Sequence, residues 1–144
     1  MSAPGVGEVS GLHVSIEGEP SRIAIASEAV RRHLTEQGVP IRAIQRAELI
    51  LDEILSNTIR YGTPPGARAV IEVSVTLRGH EIELIIADDA EPFDPTRAPE
   101  KKPAKTLESA SIGGRGLSLV RRATDSMSYE RRDGRNVMRF RLAV

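Results

Sequence analysis

Glu48-Leu-Ile-Leu-Asp-Glu-Ile-Leu-Ser-Asn-Thr-Ile-Arg-Tyr-Gly62 decides how this chain is read. Together with the residues just before it, it places Ile44, Ala47, Leu51, Ile54 or Leu55 and Thr58 at three- and four-residue steps, the period of a half-buried helix. Glu53 and Asn57 are four apart, so their side chains lie one turn from each other on a single face. A Glu and an Asn so placed can hold a metal–phosphate complex, with the Glu free to take a proton. On most helices the same pair is only a solvated face, so its meaning depends on whether partner motifs occur downstream in the chain.

Upstream, residues 1–10 are small and rich in Gly and Pro, and a flexible N-terminus is expected there. Leu12, Val14 and Ile16 alternate with polar residues, which predicts an edge or near-edge strand. Pro20 suits the first turn of a helix whose buried stripe is Ile23, Ala26, Val30 and Leu34, and Gly38 stops it at a left-handed cap. Pro40 is expected in the first turn of the long helix.

Downstream, Val70–Leu77 and Glu81–Asp88 read as strands joined by a short turn at Arg78-Gly79-His80. Asp88 has the parity of Ile82, Leu84 and Ile86, so its carboxylate points towards the core. There it needs a partner or water. Residues 89–112 then carry four prolines and no apolar period, the composition of a lid or a disordered loop. Gly113-Gly-Arg-Gly-Leu-Ser-Leu-Val-Arg-Arg122 opens a third helix with Leu117, Val120 and Leu119 as its buried candidates. Glycines at a helix start let backbone N–H groups approach an anion, though they also serve simply to link a loop to a helix. Met127 and Tyr129 alternate with serines, Asp133-Gly134 is a strong hairpin turn, and Met138, Phe140 and Leu142 share the inward face with Asn136. The order β-α-α-β-β-loop-α-β-β predicts an α+β fold: a two-layer sandwich with a mostly antiparallel sheet and three helices on one face.

The composition excludes several classes. The 20 basic and 20 acidic residues balance, so nothing global favours nucleic acid or an anionic membrane as partner. Cysteine and tryptophan are absent, which removes thiol chemistry and leaves few stacking platforms. His13, His33 and His80 have no zinc spacing, and no serine sits in a Gly-x-Ser-x-Gly elbow. No stretch approaches the ~20 apolar residues of a membrane span, and Met1–Gly7 lacks a signal peptide's basic and apolar regions. A cytoplasmic domain is expected.

Taken in order, the helix with Glu53-x-x-x-Asn57, the strand ending Asp88-Asp89, the long loop and the glycines at a helix start resemble the Bergerat-fold, or GHKL, ATPases. Asp88-Asp-Ala-Glu-Pro-Phe-Asp-Pro95 and Gly113–Arg122 look most like the anti-sigma-factor serine/threonine kinases among them. The resemblance covers about residues 12–143, as one histidine-kinase-like domain over 11–144. No phosphoacceptor His-Glu motif precedes it, so a complete sensor histidine kinase is not expected. The resemblance implies ATP and Mg²⁺ as cofactors, with Asn57 as Mg²⁺ ligand and Glu53 as general base towards a protein serine. It implies that Asp88 receives the adenine amine, that the segment Gly114, Arg115, Gly116 and Leu117 meets the phosphates, and that Asn136 lies close to the nucleotide. Residues 91–112 would form the lid. The implied partners are an anti-sigma-antagonist-type substrate and a sigma factor or similar regulator, and a homodimer is possible within the family. In one respect the chain departs: the family's Asp-x-Gly-x-Gly is here Asp88-Asp-Ala90-Glu-Pro92, which adds a methyl and removes an N–H where backbone nears the base. This implies weaker nucleotide affinity and keeps a nucleotide-gated binding module without phosphotransfer as an alternative. An interaction domain that has lost nucleotide is a third reading, against which stand Asn57, Asp88 and Gly116.

Overall fold

The amphipathic stretch of the sequence forms α2 (Ile41–Tyr61), the middle helix of the helical layer. The computed structural model describes residues 10–64, 66–97 and 114–144. The expected flexible N-terminus and most of the expected lid fall outside those residues. α2 buries Ala43, Ile44, Ala47, Ile50, Leu51, both Ile54 and Leu55, and also Asn57. Pro40 stands at the N-cap, with ψ 144°, one position earlier than expected. Extended backbone there lets the proline ring precede the first turn without a clash. At the other end the Gly62 N–H bonds to the Thr58 carbonyl at 2.9 Å.

α1 (Ile23–Glu36) follows a 3₁₀ turn at Pro20–Arg22. Its end has the expected left-handed glycine: Gly38 has φ +76°, its N–H bonds to Thr35 O, and the Val39 N–H bonds back to Leu34 O. That double closure satisfies carbonyls a helix end would otherwise leave open. α3 (Gly114–Ala123) closes the layer. Leu117 and Val120 are buried, but Leu119 is 41% exposed. Two residues past Leu117 means about 200° around a helix, so Leu119 faces away from the sheet.

Among the described residues five strands form one antiparallel sheet in the order β1-β2-β3-β5-β4: β1 (Ser10–Glu17), β2 (Val70–Arg78), β3 (Glu81–Asp88), β4 (Ser126–Arg132) and β5 (Arg135–Ala143). β1 is an edge strand, as its alternation predicts. The β4–β5 turn places Asp133 and Gly134 at φ 51° and 76°, the left-handed pair that a two-residue hairpin needs. Every second residue of β2, β3 and β5 faces the helices: Ile71, Val73 and Val75; Ile82, Leu84 and Ile86; Met138, Phe140 and Leu142. The expected α+β sandwich is what forms, with three helices among the described residues on one sheet face. The other face carries residues such as Glu72, Glu83, Arg139 and Arg141, and ion pairs cross it from Arg135 to Glu72 and from Arg141 to Glu83. Arg46 of α2 ties the layers together by donating to the carbonyls of Ala123 and Ala143. No helix among the described residues is long and apolar enough to cross a membrane.

One register places the site. β3 and β5 pair so that Ile82, Leu84 and Ile86 lie opposite Leu142, Phe140 and Met138, and Asp88 lies opposite Asn136. The apolar ladder of the core therefore ends in a polar pair.

Candidate active site

Where that ladder ends, a slot opens between α2 and the ends of β3 and β5. Asn57 and Thr58 line it from α2, Asp88 and Asn136 from the sheet, and Ala90, Phe93 and Pro95 from the segment after β3. Its free space is about 370 Å³ including the mouth, but the centre of a water molecule can reach only about 20 Å³ of it. It is a narrow slot.

Asp88 is 4% exposed and hydrogen-bonded through one oxygen. Its Oδ1 accepts from the Ala90 N–H at 3.0 Å and from Asn136 Nδ2 at 2.9 Å. Among the described residues nothing donates to Oδ2. Burial raises this carboxyl above the ordinary aspartate range; the two hydrogen bonds and the Arg131 charge act against that rise, and Asp89 adds to it. The inward parity of the strand thus has its partner, and the pair leaves one acceptor oxygen available.

Asn57 is 9% exposed, lines the slot, and has no side-chain partner among the described residues. Among the described residues no fully buried side-chain polar atom lacks a hydrogen bond, so the amide of Asn57 is open to water or a ligand at the slot. An amide oxygen is a suitable ligand for a hard cation, so the residue present fits a Mg²⁺–phosphate group. Glu53, one turn earlier on the same face, likewise has no hydrogen bond or ion pair among the described residues. It does not line the slot; it lies against α3. A Cβ on Gly116 would sit 2.1 Å from Glu53 Oε2, so the glycine leaves the room in which that carboxylate stands. The three site residues on α2 and β3 and the α3 start are thus drawn together, with Glu53 and Gly116 in contact and Asn57 and Asp88 on the slot wall.

Of the other expected residues, Gly114 begins α3, and the side chain of Arg115 lies outside the described residues. Leu117 packs into the core, which leaves only its backbone for any contact with a ligand. Asn136 lines the slot with its side chain already committed to protein partners on every side. Three residues not expected at the site support the residues that line it. Tyr129 donates to Asn136 Oδ1 at 2.5 Å, and Arg131 donates to the Ala90 carbonyl at 2.9 Å. Gly62 packs under Ala90, where a Cβ would come within 3.0 Å of the Ala90 methyl, and its carbonyl accepts the Glu91 N–H at 2.8 Å. Tyr129 and Arg131 share the inward parity of Met127, a signal that was available. At Gly62 a Cβ would also meet the Thr58 carbonyl oxygen at 2.7 Å, a tight helix end that a φ of −89° does not reveal in the sequence.

The slot thus has a buried carboxylate and two amides on its wall, at the ends of β3, β5 and α2 of an α/β sandwich. The chain belongs to the histidine kinase-like ATPase domain family, which it matches over residues 16–142. A related protein is the serine/threonine-protein kinase BtrW of Bordetella bronchiseptica, 39% identical over 88 residues that make up 61% of this chain and 62% of BtrW. The fold is shared with the RsbU and RsbW domains of Rv1364c from Mycobacterium tuberculosis (12% identity, TM-score 0.66, 93% of this chain and 32% of that one). It is also shared with the histidine kinase domain of the blue-light activated kinase EL346 of Erythrobacter litoralis (14% identity, TM-score 0.55, 86% of this chain and 60% of that one). The chain spans less than two thirds of the length of each of these proteins.

Proposed function

We propose that this chain is an ATP-dependent serine/threonine protein kinase acting as an anti-sigma regulatory factor in the cytoplasm. It phosphorylates an anti-sigma-antagonist-type protein and binds a sigma factor or similar regulator. The observation that carries the reading is the pair of polar side chains without a partner among the described residues, Glu53 and Asn57, on one face of α2 beside the buried Asp88. The likeness to BtrW supports the activity.

In this reading the slot takes the purine, with Asp88 Oδ2 accepting its amine. Asn57 holds Mg²⁺, which supplies charge neutralisation at the phosphates. The N-terminal turn of α3, from Gly114 to Gly116, offers N–H groups and a favourable dipole to the same phosphates. Glu53 takes the proton from the substrate hydroxyl, and Gly116 keeps its carboxylate in place. A second reading, a nucleotide-gated binding module without phosphotransfer, is favoured by the narrowness of the slot and by Ala90 and Pro92 in place of glycines.

Calorimetry with ATP and ADP, with and without Mg²⁺, and then transfer of labelled phosphate to a candidate antagonist separate these readings. Mg²⁺-dependent binding with transfer is the expected result. Binding without transfer to any antagonist supports the module, and absence of binding at near-millimolar nucleotide overturns both.

A further inference from the structure

Asn136 is a slot residue whose hydrogen-bonding capacity is fully used. Its Nδ2 gives one hydrogen to Asp88 Oδ1 and the other to the Glu91 carbonyl, each at 2.9 Å, with the Ala90 carbonyl further off at 3.5 Å. Its Oδ1 accepts the Phe93 N–H at 3.3 Å and the Tyr129 hydroxyl at 2.5 Å. Only acceptors surround one end of the amide and only donors the other, so its orientation is dictated by its partners. An amide with two donors and two lone pairs, all engaged, has nothing left for a ligand.

What Asn136 does instead is occupy Asp88 Oδ1. With the Ala90 N–H on the same oxygen, the carboxylate presents the slot with a single acceptor, Oδ2. A carboxylate with both oxygens free grips guanine side by side, through its ring N–H and its exocyclic amine. A single oxygen cannot do this, whereas adenine offers only one donor group at its edge, the exocyclic amine. The orientation of the amide therefore decides which purine edge fits. Of the two donors to its oxygen, the Tyr129 hydroxyl is much the closer, and it comes from β4, which puts no residue on the slot wall itself.

Building on the nucleotide reading of the slot, we propose that Tyr129 is a positioning residue: through Asn136 it holds Asp88 to one outward oxygen and so selects adenine over guanine nucleotides. Without the hydroxyl, Asn136 Oδ1 keeps only the longer Phe93 contact; Nδ2 still faces Asp88 Oδ1 and the Glu91 carbonyl, but the amide is held less firmly and its bond to Asp88 Oδ1 weakens. The charges facing Asp88 are Arg131 from β4 and the adjacent Asp89, and both remain in the variant.

The test is Tyr129→Phe, which removes one oxygen and keeps the ring. In the nucleotide-free protein, the Asp88 carboxyl carbon tracked by NMR through a pH titration is expected to titrate at higher pH than in the wild type, because it loses hydrogen bonds to its charged form. In calorimetry with Mg²⁺, the preference for ATP over GTP is expected to fall about fivefold, the usual worth of one hydrogen bond. Asn136→Leu, which removes both prongs, is expected to lower it further. An unchanged Asp88 titration, or equal weakening of ATP and GTP, overturns the proposal. A wild-type protein that binds neither nucleotide overturns the reading of the slot, and the titration of the free protein still decides whether Tyr129 governs Asp88.

Discussion

Replacing Asp88 by Asn tests the slot with little cost to the fold. The new amide can keep its oxygen where Oδ1 stands, still accepting from the Ala90 N–H and Asn136 Nδ2. Its NH₂ then takes the place of Oδ2 and faces the slot. A purine amine arriving there loses a hydrogen bond to a charged acceptor, about 1.5–3 kcal/mol, and meets a donor instead, which leaves buried donors unpaired at about 1–3 kcal/mol more. A total near 3 kcal/mol weakens ATP binding by about two orders of magnitude. Stability moves the other way. Burial raises the folded-state pKa of Asp88 above its unfolded value, so this group's contribution to stability is complete below the unfolded value and is lost as pH rises through the folded one. Asp88→Asn has no such loss. Its stability relative to wild type therefore rises between pH 3 and pH 7, and at pH 7 it stays within about 1 kcal/mol of wild type or above it. Calorimetry with ATP and urea denaturation at the two pH values measure both quantities. An ATP affinity within threefold of wild type would refute the assignment of the slot. A loss of more than about 3 kcal/mol at pH 7 would show instead that the carboxylate is there to hold the fold.

Other substitutions separate the chemistry from the scaffold. Glu53→Gln removes the base and keeps the shape, so phosphate transfer falls by about 10²–10⁴ while ATP affinity stays within a few-fold, as read by parallel transfer and binding assays. Gly116→Ala drives a methyl into the position of Glu53 Oε2; the carboxylate swings aside, and transfer drops at least about tenfold. Because Ala is the better helix former by about 1 kcal/mol, the melting temperature of this variant holds or rises, which distinguishes it from a folding defect. Phe140→Ala empties the centre of the core, where the ring is fully buried, and costs about 3–5 kcal/mol in urea denaturation.

Periodicity carries local information well. The alternation in β3 and β5 was enough to turn Asp88 and Asn136 inward, and the Asp133-Gly134 pair marked its hairpin. Whether those two inward residues meet depends on β3 and β5 being neighbours with one particular register, a fact about strands far apart in the chain. The same holds for Glu53 and Gly116, whose contact arises from the packing of α2 on α3. Leu119 illustrates the opposite difficulty: in an apolar run of Leu117, Leu119 and Val120, hydrophobicity alone does not say which residue the helix turns outward. Ala90 was legible as a departure from the family pattern, but the Gly62 that accommodates its methyl was not, since its close approaches to Thr58 O and to Ala90 exist only once α2 ends and packs as it does.

The seam between β3 and β5 has a kinetic meaning. β2–β3 and β4–β5 are hairpins with short turns, and each can form from neighbouring residues alone. Joining them, with β4 and β5 already paired, closes residues 89–125 into a loop, and that entropy must be spent before Asp88 faces Asn136. The sheet side of the slot therefore needs this non-local step, since Asp88 comes from one hairpin and Asn136 from the other, while α2 supplies the facing wall. A ligand that grips the assembled slot does nothing for either hairpin in the unfolded chain and acts as a staple once they have docked. Its effect falls on the rate at which the native protein comes apart, so the occupied protein is long-lived more than it is quick to fold.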